Sequence, residues 1–272
     1  MIWRRRPAVD SPVSGRPALP RPCVNRGGLE SLLRVAVRVA AEREIPLTEG
    51  LTTALDCWRA RPGEIFTLVD GAGDFHRARL HDDEGRRVLI PFQKFSVPPE
   101  SPVEIVVYQA LPEKERFELV LQKLTEIGVR RIVPYVSRRS ATLDERDAAQ
   151  KKSHRWPEVL RRAAYQCRRG MLPELAPVLD WSEVLAECAE SELRLMFYEG
   201  AAGWTLKEAL RGQRPERIAL LVGPEGGFTP EEAAQAQGAG ILPVSLGGRI
   251  LRTETAAIVG AALVQYALGD LG

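Results

Sequence analysis

The order of apolar and polar residues changes its rhythm at about residue 100. Before that point, residues 29–41 carry apolar side chains at helical spacing, which predicts a first helix. Short runs with strand-like character follow, and tight turns rich in glycine and aspartate join them, as is typical of a small β-barrel or sandwich. These runs span residues 64–70, 75–80 and 87–90. The first part of the chain therefore predicts a compact β-rich unit.

After Pro98, Pro99 and Pro102, which indicate a linker, near-continuous apolar runs alternate with helical patterns. Such runs are typical of parallel strands buried on both faces, and the alternation predicts a doubly wound α/β sheet. We therefore expect one domain at residues 29–100 and a second at residues 101–272. In the second domain, strands are predicted at 103–110, 131–136, 193–198, 217–222 and 241–246, and helices at 112–127, 145–169, 181–190, 204–211, 229–238 and 253–268.

Residues 1–28 differ from both domains in composition. They contain five prolines and six arginines, and Asp10 is the one acidic residue among them. A segment of this kind buries too little apolar surface to offset the entropy of ordering it. We therefore predict a disordered extension rich in arginine and proline.

The overall composition narrows the class of protein. A chain of 272 residues with 44% hydrophobic and 27% charged residues is ordinary for two globular domains. No run of 18 apolar residues occurs, so no membrane span is predicted. The four cysteines form no CxxC pair and the three histidines have no zinc-ligand spacing, so we expect no metal site. Reduced cysteines indicate a cytoplasmic protein.

Positive charge is concentrated in one segment. Residues 130–170 contain twelve Lys or Arg residues against four acidic ones, although the whole chain carries only +2. A basic surface of this density attracts a nucleic-acid backbone through counterion release. The alternative is a helix surface that is simply solvated.

Two glycine-bearing loops carry the strongest local signals. In the first, a buried strand leads into Gly223, Gly226 and Gly227, whose small size lets a backbone approach a ligand closely. Thr229 and Pro230 then open a helix. The sequence around the loop matches neither the Walker phosphate loop nor GxGxxG. A ligand site at the carboxyl end of a strand is expected in open α/β sheets, although a plain turn before a helix is the alternative.

The second loop has the same layout. A strand leads into Gly247 and Gly248, and Arg249, Arg252 and Glu254 crowd the stretch before the last helix, for which Thr253 is the predicted cap. Two such loops that close on one site favour a pocket over two unrelated turns.

The strings LVGPEGGFTPEE (221–232) and SLGGRILRTETAA (245–257) resemble the C-terminal motifs of SPOUT methyltransferases. The resemblance is closest to the RsmE family of 16S ribosomal RNA (uracil-N3)-methyltransferases. QKLTEIG at 122–128 and RRAAYQCR at 161–168 resemble the same family in the same order. The similarity covers residues 101–272 well. It is weaker over 45–100, where the pattern resembles the family's PUA-like RNA-binding domain.

This resemblance implies a fold and an activity. The fold is an α/β, SPOUT-type knotted parallel-sheet methyltransferase domain preceded by a small PUA-like β-barrel domain. The cofactor is S-adenosyl-L-methionine, and the reaction is methylation of N3 of a uridine in 16S ribosomal RNA within the small ribosomal subunit. The resemblance also implies a homodimer whose active site is completed across the interface.

The two loops supply the predicted cofactor site. Its backbone groups and apolar side chains would line an adenosyl slot, although burial in the core is an equal alternative for the leucines. The predicted cofactor-binding residues are Leu221, Gly223, Pro224, Glu225, Gly226, Gly227, Leu246, Gly247, Ile250, Leu251 and Thr255.

Three residues are predicted to be catalytic. Arg252 is a permanent cation that would stabilise the uracil anion, with an ion pair to Glu254 as the alternative. Glu254 would order the loop or accept a hydrogen bond from the substrate, and the alternative is a carboxylate favoured by the helix dipole. The resemblance implies that Gln166 faces RNA or the uracil, and a solvated helix face is the alternative.

RNA contacts are predicted on the basic helix, with a solvated helix face as the alternative. The predicted RNA-binding residues are Arg161, Arg162, Arg168, Arg169 and Lys123, and the last of these could instead simply pair with Glu126. Two other functions stay open on the sequence. One is ribose 2′-O-methylation by an enzyme of the same superfamily, and the other is a noncatalytic RNA-binding factor in ribosome assembly.

Overall fold

The computed structural model describes residues 24–112, 114–140, 155–200 and 203–272, and every structural statement below concerns these ranges. The first part of the chain forms one sheet, in which three long antiparallel strands are flanked by two short ones. In chain order its elements are β1 (Leu33–Arg34), β2 (Ile45–Pro46), α1 (Glu49–Trp58), β3 (Ile65–Val69), β4 (Phe75–Asp83) and β5 (Arg86–Lys94). The order across the sheet is β1-β3-β4-β5-β2.

The prediction of a helix at residues 29–41 is wrong. Gly28–Ser31 form a single 3-10 turn, and β1 follows and pairs with β3 in parallel. Leu33 and Val35 are buried while Arg34 between them is exposed, so the burial period is two. The β-branched Val35 favours extended backbone, and packing on the sheet decides the conformation.

The end of the predicted disordered extension also differs from expectation. Asn25 donates to the Pro173 carbonyl at 2.9 Å and accepts from the Leu175 amide at 2.8 Å. Gly28 donates to the Leu172 carbonyl at 2.8 Å. These bonds hold residues 25–28 against the second half of the chain, while residues 1–23 lie outside the described ranges.

The second part of the chain is a seven-stranded, fully parallel sheet. Its strands are β6 (Glu104–Ala110), β7 (Arg131–Tyr135), β8 (Glu174–Leu175), β9 (Leu193–Phe197), β10 (Trp204–Thr205), β11 (Arg217–Val222) and β12 (Leu242–Ser245). Their spatial order is β10-β12-β9-β11-β6-β7-β8. The described helices of this part are α2 (Lys114–Glu126), α3 (Trp156–Gln166), α4 (Trp181–Cys188), α5 (Leu206–Leu210), α6 (Pro230–Gly238) and α7 (Thr253–Leu268).

Each face of this sheet has its own hydrophobic core. Ile105 and Val107 of β6 pack with α2, α3, α5 and α7, whereas Val106 and Tyr108 pack with α4 and α6. Burial on both faces explains why the strands read as continuous apolar runs. The predicted parallel α/β sheet is therefore confirmed. Helix α3 confirms the later part of the helix predicted at 145–169, whose residues up to 154 lie outside the described ranges.

A buried ion pair joins the segment before β6 to the end of α3. The Arg169 guanidinium donates to the Glu100 carboxylate at 2.8–3.0 Å and to the carbonyls of Thr125 and Val129 at 2.9 and 3.2 Å. Glu100 also accepts from the Gly170 amide at 2.7 Å. Arg169 is only 4% exposed, so its predicted role as an RNA contact is wrong: all of its donor groups face the interior.

We expect Arg169→Met to lower the free energy of unfolding by about 3–5 kcal/mol, because the Glu100 carboxylate would stay buried without its cation. Urea unfolding of the full chain measures the change. Arg162→Met is the matched control, since that side chain is 72% exposed. If both variants lose the same small amount of stability, the interior ion pair does not hold this joint.

Candidate functional site

A cavity of about 310 Å³ opens at the carboxyl edge of the parallel sheet. Three loops surround it: residues 198–200 after β9, residues 223–229 after β11, and residues 246–252 after β12. Strand order reverses in this region, because β11 lies between β6 and β9, which is where ligands bind in open α/β sheets. The lining residues are Arg116, Phe197, Tyr198, Glu199, Val222, Gly223, Pro224, Glu225, Gly227, Phe228, Ile250, Leu251, Arg252, Thr253 and Ala256.

The loop after β11 is a tight turn that ends in a helix cap. Gly227 has φ +67°, in the left-handed region that favours glycine, and its amide donates to the Pro224 carbonyl at 3.0 Å. Thr229 caps α6 and forms a capping box with Glu232, and Pro230 occupies the first turn, as predicted. A side chain at Gly223 would place its Cβ 3.0 Å from the Phe228 ring, so the glycine lets this ring pack closely against the loop.

The end of β7 braces this loop from beneath. The buried Tyr135 hydroxyl donates to the Val222 carbonyl at 3.1 Å, and Arg139 donates to the Gly226 carbonyl at 2.8 Å. The Arg138 amide donates to the buried Glu232 carboxylate at 2.9 Å. Sequence reasoning did not identify these residues, because each bond spans at least 87 positions.

The loop after β12 forms the other wall. Gly247 has φ +121°, and Ile250 is 83% exposed. Leu246, Gly247, Ile250 and Leu251 line a smaller pocket that adjoins the main cavity and shares Phe197, Tyr198 and Glu199 with it. The structure thus brings most of the predicted cofactor residues to one place.

Some predicted cofactor residues lie elsewhere. Leu221 is fully buried in the core with α4 and α6, which is the alternative weighed for the leucines. Gly226 does not line the cavity but packs against the Arg139 side chain. Thr255 lies in the first turn of α7 and lines neither pocket.

Arg252 projects from the start of α7 and lines the cavity. It is the N-cap residue of α7, so the predicted cap Thr253 is instead the first helical residue. Among the described residues Arg252 forms no ion pair, so the alternative of a pair with Glu254 is not realised. Glu254 is 8% exposed, and its Oε2 atom has no hydrogen-bond partner in the described part of the chain.

Four cavity residues lie outside the two glycine-bearing strings, and sequence reasoning missed them. Phe197, Tyr198 and Glu199 end or follow β9, and Arg116 approaches from the first turns of α2 and donates to Glu225 at 3.2 Å. The signal for the first three was available, since they follow a parallel strand as the two glycine loops do. Arg116 had no such signal, because α2 reaches the cavity only through packing.

Three of the remaining predicted residues line a different groove. Lys123, Arg162 and Gln166 line a space of about 760 Å³ between α2 and α3. Within the described chain, Gln166 therefore does not share the cavity of Arg252. Lys123 pairs with Glu126 at 2.8 Å, which is the alternative weighed for it.

The arginines of α3 are partly neutralised. Glu158 accepts from Arg161 and from Arg162, each at 2.8 Å. The hydrogen bond from Arg161 contributes most to lowering the pKa of Glu158 to about 2, against the opposing effect of partial burial. Arg161 also donates to the Trp58 carbonyl at 3.3 Å, so it ties α3 to α1. Arg162 and Arg168 stay exposed.

The described ranges contain neither a metal-ligand cluster nor a membrane-spanning helix. No group of three His, Cys, Asp or Glu side chains in these ranges could hold a metal ion. None of the described helices has both the length and the apolar character that a bilayer crossing requires.

Known proteins with similar sequence and fold share one description. A family model described as an RNA methyltransferase domain matches residues 99–265. The ribosomal RNA small subunit methyltransferase E of Mycobacterium bovis is 35% identical over 223 residues, which cover 79% of this chain and 80% of that protein. The protein of the same name from Synechocystis is 33% identical, with 85% and 77% covered.

A solved structure extends the similarity to the fold. The crystal structure of a ribosomal RNA small subunit methyltransferase E from Neisseria gonorrhoeae, bound to S-adenosyl methionine, has a TM-score of 0.63 and 32% identity. The alignment covers 88% of this chain and 98% of that chain. A parallel α/β sheet with a cavity between glycine-bearing loops defines, together with these matches, an RNA methyltransferase fold. The chain belongs to the RsmE family of ribosomal RNA small subunit methyltransferases, which confirms the resemblance found in the sequence.

We expect Tyr135→Phe to loosen the loop after β11, because the buried Val222 carbonyl would lose its donor at a cost of about 1–2 kcal/mol. Amide hydrogen exchange at residues 223–229 should accelerate. Tyr108→Phe is the matched control: its hydroxyl is bound to Glu187 on α4, away from the loop. Equal exchange at 223–229 in both variants would contradict a bracing role for Tyr135.

Proposed function

We propose that this chain is an S-adenosyl-L-methionine-dependent methyltransferase that methylates N3 of a uridine in 16S ribosomal RNA of the small ribosomal subunit. The observation that carries the proposal is the cavity at residues 223–229 and 246–252, in a chain of the RsmE family. The enzyme would act in the cytoplasm. Nucleoside mass spectrometry of treated subunits tests the assignment: N3-methyluridine supports it, and a 2′-O-methylated nucleoside overturns it.

The cavity fits the cofactor in shape and in chemistry. Gly223 and Gly227 carry no Cβ, which lets the Phe228 and Glu199 side chains lie close against the loop backbone. Leu251 and Ile250 offer apolar surface for an adenine ring, and the carboxylates of Glu199 and Glu225 suit a positively charged ligand. When bound, S-adenosylmethionine supplies a methyl group on a sulfonium. The chain would hold this cofactor with backbone groups of the first loop and apolar groups of the second.

Arg252 is the residue proposed to act on the base. N3 of uracil must lose its proton before it is nucleophilic, and the negative charge then spreads to the neighbouring carbonyl oxygens. A guanidinium at the mouth of the cavity favours that anion over the neutral base. Glu254, which is buried two residues after Arg252, would order the start of α7 near the positive end of the helix dipole.

Gln166 enters the proposal through a second copy of the chain. It lines the α2–α3 groove with Lys123 and Arg162, apart from the cavity of Arg252. In a homodimer this groove would face the cavity of the other copy, so that each active site uses both. Support comes from apolar side chains that are exposed near the cavity and along α7, namely Ile250, Val259, Leu263 and Tyr266.

The finer features of the fold are also part of the proposal. Residues 29–100 would be a PUA-like RNA-binding domain, and residues 101–272 a SPOUT domain with a trefoil knot. Arg77 and Arg79 of β4 lie on the sheet beside α3, and they would extend the RNA-binding surface of Arg162 and Arg168.

We expect Arg252→Ala to keep its affinity for S-adenosylmethionine and to lose methyl transfer by roughly two orders of magnitude, the scale of removing one preorganised charge stabiliser. Single-turnover assays with saturating cofactor and small subunits isolate this step. Arg252→Lys should recover part of the rate because the charge survives. Arg214→Ala is the control, because this exposed arginine precedes β11, whereas the cavity loop follows that strand. Normal turnover by Arg252→Ala would move the catalytic role elsewhere.

RNA affinity should fall steeply with salt, and Arg162→Gln should reduce the slope of log affinity against log salt concentration by about 1, as for one lost phosphate contact. Fluorescence titration of labelled small-subunit RNA measures the slope. Arg214→Gln is the control, because this exposed arginine precedes β11 at the opposite edge of the sheet. An unchanged slope in Arg162→Gln would leave α3 as ordinary solvated surface.

A further inference from the structure

A buried hydrogen-bond relay connects β6, α7 and the loop after β11. Gln109, fully buried near the end of β6, donates from Nε2 to the Thr253 hydroxyl at 2.9 Å and to the Ala110 carbonyl at 2.9 Å. The Thr253 hydroxyl in turn donates to the carbonyl of Gly223, at 2.5 Å. The relay joins three segments that are far apart in sequence. Its last bond ends on the first residue of the proposed cofactor loop.

The direction of this relay is fixed by its chemistry. With the amide of Gln109 reversed, its oxygen would face the Ala110 carbonyl, and two acceptors would meet. Nε2 must therefore point toward Ala110, and its second hydrogen reaches Thr253. A hydroxyl has a single hydrogen, and because its oxygen already accepts from Gln109, that hydrogen is directed to Gly223. A buried network of this kind holds one arrangement when its donors are matched.

The relay sets the separation of the two loops. Thr253 directly follows Arg252, and Gly223 begins the loop that forms the cavity floor. The bond between them holds the start of α7 against the end of β11. The carbonyl of the preceding peptide group, that of Val222, accepts a hydrogen bond from the Tyr135 hydroxyl. The Gly223 backbone is thus fixed from both of its neighbouring carbonyls, and the position of Arg252 over the cavity depends on Thr253.

We propose that Gln109 is a positioning residue of the methyltransferase site, which acts through Thr253 to hold the Gly223 loop and Arg252 in register. This inference rests on the proposed function. Gln109 touches neither ligand nor cavity and works by directing the one hydrogen of the Thr253 hydroxyl.

The test reverses the polarity of the relay without changing its shape. In Gln109→Glu a carboxyl group replaces the amide, and its ionised form can only accept, so the Thr253 hydroxyl turns toward residue 109 and Gly223 loses its donor. Thr253→Val removes the hydroxyl outright, whereas Thr253→Ser keeps it. Isothermal titration of S-adenosylmethionine into the full chain, well below the unfolding temperature, measures the affinity of each variant.

We expect Thr253→Val and Gln109→Glu to weaken binding by about tenfold each, the equivalent of one net hydrogen bond, and Thr253→Ser to stay within about twofold. The double variant Gln109→Glu/Thr253→Val should bind no worse than Thr253→Val alone, because both changes break the same bond. Should Gln109→Glu fail to fold, Gln109→Met takes its place: it frees the hydroxyl to rotate, and weakened binding that Thr253→Val does not worsen further is again expected.

Thr125→Val is the matched control. Thr125 is a fully buried helical threonine whose hydroxyl donates to the Leu121 carbonyl at 2.7 Å, and it has no contact with the loops. It should lose stability with no change in affinity. Equal weakening by Thr125→Val, or wild-type affinity in Thr253→Val or in the Gln109 variants, would overturn the inference while the proposed function stands. Absence of binding to the wild-type chain would overturn both.

Discussion

Strand β11 is hydrogen bonded to β6 on one side and to β9 on the other, and it is buried on both faces. Leu220 and Val222 enter one core, while Ala219 and Leu221 enter the other. A register slip of one residue would exchange these sets between two packed layers, so the pairing has one solution. The strand therefore ends at a fixed point, and Gly223 begins its loop at that point. Because β12 pairs with β9 in the same sheet, the start of α7 is delivered to the same edge.

Fixed strand ends place two loops side by side, but they do not by themselves shape a cavity. The glycines have no side chains of their own, and their backbone has more conformational freedom than that of other residues. Hydrogen bonds from other elements compensate: Tyr135 and Arg139 from the end of β7, and Thr253 from the start of α7. Each net bond is modest, about 1 kcal/mol, yet each satisfies a carbonyl that would otherwise be unpaired near a buried edge. The glycine loops are therefore held in place by hydrogen bonds from other elements and not by side chains of their own.

The strand ends could be predicted from the sequence, whereas the hydrogen bonds that support the loops could not. The order of strands and helices in the second half was predictable because a strand that is buried on both faces is a continuous run of apolar residues, as at 217–222. The two glycine loops were predictable for the same reason, since they follow such strands. The prediction for residues 29–41 was wrong because their apolar positions also fit a helix. In the structure, pairing of β1 with β3 gives the burial pattern a period of two. The roles of Gln109 and Tyr135 could not be predicted from the sequence. A buried polar side chain in an apolar strand can be interpreted only once its acceptor, which is distant in sequence, is known.

The basic segment shows the limit of charge counting. A count treats every arginine alike, but the fold divides them by environment. Arg169 is enclosed with Glu100, and Arg161 joins Glu158 to the Trp58 carbonyl, so both hold α3 in place. Arg162 shares Glu158 yet stays largely exposed, and Arg168 faces solvent from a left-handed backbone position. The salt dependence of RNA binding depends on how many phosphates the protein neutralises, not on its formal charge. It should therefore depend on the exposed arginines alone. The same cluster thus orients the helix with its inner arginines and presents the outer ones to a polyanion.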